Sequence, residues 1–166
     1  MRFLALLALA SFAPAAAPPD PYAPLWLYQG TWRVTNKSNA AKPDTLVNQC
    51  AQLSKFFACG QIVNGQPAAL VVFIPDTRKP GHYLTQNIMP EGRATGISEL
   101  EISGDQWTYS NRRDQDGKTT FYRTTNTFSG KNRIHFEQAQ SSNRTDWQVQ
   151  NSGDEERIGP AARGAR

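Results

Sequence analysis

From Gly30 onward, apolar and polar positions alternate along most of the chain. That is the period of a strand with one buried face. Segments 31–35, 46–50, 56–63, 82–88, 97–102, 106–110, 119–128, 133–138 and 146–149 follow it and are rich in β-branched and aromatic residues. Ala69-Leu70-Val71-Val72-Phe73-Ile74 is different, an unbroken apolar run, which predicts a strand covered on both faces. Turn signals fall between these segments: Asn64-Gly65, Pro90-Glu91-Gly92, Gly104-Asp105, Asp116-Gly117 and Ser129-Gly130-Lys131-Asn132. Nine or ten short strands at this spacing describe an all-β sandwich or barrel. No segment keeps a helical period over three turns, and Leu25–Tyr28 reads as a short helical turn or lead-in.

The N-terminus has another character. Met1-Arg2 is followed by an apolar run of about 11 residues and then by Ala13-Pro14-Ala15-Ala16-Ala17, the order of a secretory signal peptide. The run falls short of the roughly 20 residues that a membrane span needs. Cleavage after Ala15 satisfies the small-x-small rule without placing Pro18 beside the scissile bond. The division expected is therefore a signal peptide over 1–15, a Pro/Ala-rich linker over 16–24, a β domain over 25–150 and a flexible tail over 151–166. The expected location is periplasmic or secreted. No Cys follows the cut, so no stable membrane anchor is expected.

Export changes the meaning of Cys50 and Cys59, the two cysteines of the chain. In an oxidising compartment they read as a disulfide. If the hairpin turn centres between Ser54 and Lys55, Cys50 lies opposite Cys59. Cross-strand Cα spacing of about 4.5–5.5 Å is within disulfide reach, so the bridge predicts the register. His82 and His135 stand far from the cysteines, and no metal site is expected. The formal charge of +4 is spread along the chain. Its densest basic pair, Arg112-Arg113, is followed by Asp114 and Asp116, which argues against nucleic acid as a partner.

Gly30-Thr31-Trp32 opens the first strand. With Phe57-Ala58-Cys59, Val63-Asn64-Gly65, Gly104–Tyr109 and Tyr122–Asn126, it resembles the lipocalin-like (calycin) barrels of uncharacterised exported bacterial type. The resemblance spans roughly residues 25–150. It implies an antiparallel up-and-down barrel of about 8–10 strands, with the Trp plugging one end and a small ligand inside. That pattern also carries a Thr-Asp-Tyr-like segment midway, which this chain lacks in clear form. Its Arg in the last strand is here Arg133 or Arg144.

Within such a barrel, Trp32, Tyr83, Trp107, Tyr122 and Asn126 are the inward-facing candidates for ligand binding. Tyr122 and Asn126 would fix the orientation of a small apolar or amphipathic molecule. The competing reading is a filled barrel acting as an envelope interaction module. Haem ligation through His135 is the weaker alternative to a surface position, because Arg133 and Glu137 share its face. No catalytic residue is singled out: Ser, His and Asp are present without a nucleophile-elbow sequence, and Glu99 and Glu101 read as exposed alternation. The sequence names neither the ligand nor the oligomeric state.

Overall fold

The computed structural model describes residues 20–37 and 40–160. The proposed signal peptide and the last six residues lie outside them. Ten antiparallel strands form a closed up-and-down barrel: β1 Gly30–Asn36, β2 Asp44–Leu53, β3 Phe56–Val63, β4 Gln66–Pro75, β5 His82–Ile88, β6 Ser98–Ser103, β7 Gln106–Gln115, β8 Lys118–Ser129, β9 Arg133–Ser141 and β10 Gln148–Gly159. Each strand pairs with its neighbours in sequence, and β10 returns to β1. A 3-10 turn, Ala23–Tyr28, precedes β1.

The hairpins follow their turn residues. Asn64 and Gly65 both take positive φ, at 50° and 80°, the geometry whose twist matches the flanking strands. Asp116 and Gly117 repeat it at 52° and 73°. Leu53 pairs with Phe56, so the β2–β3 turn is Ser54-Lys55, and Cys50 stands opposite Cys59. The two are bonded, with Sγ atoms 2.05 Å apart. This is the register the cysteines predict.

Three sequence expectations are corrected. Residues after 150 are not a frayed tail as far as Pro160: β10 runs to Gly159 and pairs with both β9 and β1. Its alternation hides behind charge. Glu155 and Arg157 face inward, while Asp154 and Glu156 face outward and meet His135 at 2.9 Å and Arg33 at 2.5 Å. The described end of the 16–24 linker is not extended. Tyr22 is buried and stacks on Phe57 at 5.6 Å, and its hydroxyl donates to the Lys55 carbonyl. The apolar run in β4 is covered on one face only. Val71 and Phe73 are buried, but Leu70 and Ile74 are 41% and 54% exposed on the outside.

The core fills one end of the barrel. Leu25, Trp32, Phe57, Leu100, Trp107 and Ile134 have almost no exposure, and the 3-10 turn packs into them. Tyr28 sets its ring edge-on to Trp107 at 4.8 Å and tilted to Phe128 at 5.9 Å. Side chains on this floor meet in the offset geometries that aromatic quadrupoles favour.

Candidate functional site

Above the floor the inward-facing side chains change character. By cross-strand register, Asn48, Gln61, Thr85, Ser98, Tyr109, Thr124, Asn126, Gln138 and Glu155 continue the same inward rows as the core residues. They do not fill the space. A cavity of about 340 Å³ remains among them. A second volume of about 330 Å³ adjoins it toward β1 and β2, sharing Leu46, Thr124, Asn126, Gln138 and Glu155. The wall from β2 to β4 contributes apolar surface through Leu46, Cys59, Val71 and Phe73. The wall from β7 to β10 contributes hydroxyls, amides and one carboxylate. The lumen is thus amphipathic, with a strong polar share.

One hydrogen-bond cluster joins the floor to the cavity. Tyr109 donates its hydroxyl to Tyr28 Oη at 2.9 Å, and Asn126 Nδ2 donates to the same oxygen at 2.7 Å. Burial pushes both phenols well above their ordinary range, so they stay neutral. On the opposite wall Gln61 Nε2 donates to Asn48 Oδ1 at 3.2 Å. Glu155 lines both parts of the cavity and is partly buried. Desolvation raises its carboxyl to about 7, and no cation among the described residues lining the cavity offsets the loss of water.

Of the five sequence candidates, the structure places Asn126 in the cavity lining. Trp32, Tyr83 and Trp107 are buried in the packed floor. Tyr83 sends its hydroxyl to the Pro21 carbonyl at 2.5 Å, and Trp32 donates Nε1 to the Tyr28 carbonyl at 3.0 Å. Tyr122 stands at the rim, 37% exposed, beside a groove that also includes Ile97, Arg144 and Trp147. The five therefore do not form one site. His135 faces outward onto Asp154, away from the lumen. Glu99 and Glu101 are exposed.

Sequence reasoning missed Tyr28, Tyr109 and Glu155. Tyr109 had a signal, since it lies two residues from Trp107 and shares its face. Tyr28 precedes the first strand and had none. Glu155 lay in the segment read as tail.

The Arg that meets Trp32 is neither Arg133 nor Arg144. It is Arg157 of β10, whose guanidinium lies 4.2 Å above the Trp32 ring. It donates to the carbonyls of Leu27 at 2.6 Å and Lys131 at 2.9 Å, and also to that of Gln29. Gly30 is required beside it. Its φ is +147°, and any Cβ there would run into the Arg157 guanidinium. Arg144 instead covers Phe121 at 4.3 Å on the outer surface.

Among the described residues no cluster of His, Cys, Asp or Glu could hold a metal ion, and no helix is long and apolar enough to cross a membrane. Neither a protein-family model nor a curated protein matches the sequence. Among solved structures, Rv2717c from M. tuberculosis is similar at 13% identity and a TM-score of 0.46, covering 84% of this chain and 98% of that one. A likeness at that level bears on neither family nor ligand.

Proposed function

We propose that this chain is an exported, lipocalin-like barrel that holds a small amphipathic molecule in its lumen without transforming it. The observation that carries the reading is the half-filled interior: a packed aromatic floor beneath a cavity of about 340 Å³, near the lower end of ordinary ligand-site volumes. The Tyr28–Tyr109–Asn126 cluster supports a fixed orientation for the guest. Tyr28 Oη already receives two bonds, which leaves its own proton to donate. The lining favours a guest with polar groups over a purely apolar one, since an alkane would leave these buried dipoles unpaired.

Two features support the lipocalin-like assignment. Gly30 and Trp32 open β1, and Arg157 from the last strand lies over the Trp ring. The N-terminal apolar segment and the Cys50–Cys59 bridge support export to the periplasm or beyond. A second reading, an envelope interaction module, is favoured by one observation. Leu70, Ile74, Leu84 and Ile88 form an exposed apolar face on the outside of β4 and β5.

Native mass spectrometry of the mature protein recovered from the periplasm, followed by denaturing extraction, separates the two. Lumen binding predicts a retained small molecule at one per chain. A clean unliganded mass, with no shift against a lipid and haem panel, contradicts it and favours the interaction module.

A further inference from the structure

The charges on the described residues that line the lumen are of one sign. Glu155 and Asp44 are the ionisable acids of the two adjoining volumes, and no Lys, Arg or His is among the described residues lining them. Asp44 is engaged by Asn64 Nδ2 at 2.7 Å. Glu155 has no hydrogen bond or ion pair to another described side chain. Arg157, two residues along the same face, is turned into the floor and held by three carbonyls. The neutral phenols of Tyr28 and Tyr109, on other elements, feel its charge. Arg33, Arg133 and His135 belong to the outer face of the neighbouring strands, and Glu156 to the outer face of β10 itself. Among the described residues, then, Glu155 brings a carboxylate into the cavity and no cation answers it. An unpaired buried charge is costly, and a ligand that pairs it gains a charge-assisted hydrogen bond.

We infer that the guest is a small organic cation, a protonated amine on a short apolar or aryl body, with Glu155 as its counter-ion. The inference rests on the lumen reading above and deepens it. An ammonium has three donors. One meets the Glu155 carboxylate. Asn126, whose Nδ2 is turned to Tyr28, keeps its Oδ1 for another, and Gln138 Oε1, which already accepts from Asn151 Nδ2 at 3.1 Å, has a second lone pair for the third. Leu46, Val71 and Phe73 then cover the apolar body. An anion would face two carboxylates. A neutral guest would leave Glu155 as it is. The same geometry makes amine binding depend on pH, because Glu155 must be ionised to pair, so affinity rises from pH 6 to pH 8 across its value of about 7.

The test is calorimetric titration of the folded protein at pH 8 with 2-phenylethylamine and its neutral counterpart 2-phenylethanol. The wild type is expected to bind the amine about tenfold or more tightly than the alcohol, a difference of about 1.4 kcal/mol or more. In E155Q, which removes a buried charge and is expected to fold, the preference shrinks to within about threefold. T124F, which fills the lumen, weakens both probes, with near-ultraviolet circular dichroism confirming its fold. Equal binding of amine and alcohol to the wild type, or an undiminished preference in E155Q, overturns the cation and leaves lumen binding standing. Failure of both probes to bind at about 10 mM also overturns the cation. The lumen reading is then judged separately, by the retained mass.

Discussion

Arg157 ties the last strand to Trp32 and to the backbone at the packed end of the barrel. Its guanidinium satisfies the carbonyls of Leu27, Gln29 and Lys131 and covers Trp32. R157M would leave three acceptors without their donor and remove the cation from the ring. The expected loss is about 2–3 kcal/mol, read as a shift in the urea midpoint. R157K should recover little, because an ammonium cannot reproduce the planar fork. Glu155 makes the opposite contribution. Its ordinary value is 4.5 and its folded value about 7, so the folded state holds the proton more tightly. Stability is therefore full below about pH 4.5, falls as pH rises through 7 and is flat above. E155Q should abolish that slope and be more stable than the wild type at pH 8 by at most roughly 3 kcal/mol. Thermal unfolding at pH 5 and pH 8 checks this, and parallel slopes in both proteins would refute it. Gly30 and Trp32 were readable from their spacing, but Arg157 was not. A cation–π contact across the closure of a barrel leaves no local pattern.

At the scale of elements, turn chemistry made nine of the ten strands legible. Asn64-Gly65 and Asp116-Gly117 demand a tight hairpin wherever they occur between alternating segments, and the cysteines set the β2–β3 register. The expected strand at 146–149 caught only the first residues of β10; the rest was hidden because Asp154-Glu155-Glu156 reads as a solvated run. In the barrel its outward charges are answered by Arg33 and His135 on the neighbouring strands, information that sequence order does not carry. Gly153 adds to this closure: a Cβ there would strike the Thr35 carbonyl, the Phe136 ring and the Asn36 side chain. A chain ending at Gln150 should therefore fail to close β1 and lose its near-ultraviolet dichroism, whereas one ending at Pro160 should keep it. A native-like spectrum from the shorter chain would show that β10 is dispensable. The bridge between Cys50 and Cys59 closes a short loop, so replacing both by Ala should lower stability by about 2–3 kcal/mol, measured by denaturant unfolding. No change would place its role elsewhere than in the fold.

For the whole molecule, the barrel has two ends of different chemistry. Aromatic and aliphatic side chains pack one end. Amides, hydroxyls and a carboxylate line the other without filling it. Only Asn126 of the cavity lining was singled out from sequence, because polar residues on an inward row look like an outward face until the register is known. The outer face of β4 was misread for the complementary reason, an apolar run taken for double burial. These two surfaces, the lumen and the outer apolar face, are the competing places for a partner. The most direct test compares native masses of three proteins recovered from the same compartment: the wild type, the lumen-filling T124F and an outer-face double variant, Ile74→Asp with Leu84→Asp. The account predicts a retained small molecule in the wild type and the outer-face variant and its loss from T124F. Retention by T124F with loss from the outer-face variant would place the function on the outer wall and contradict it.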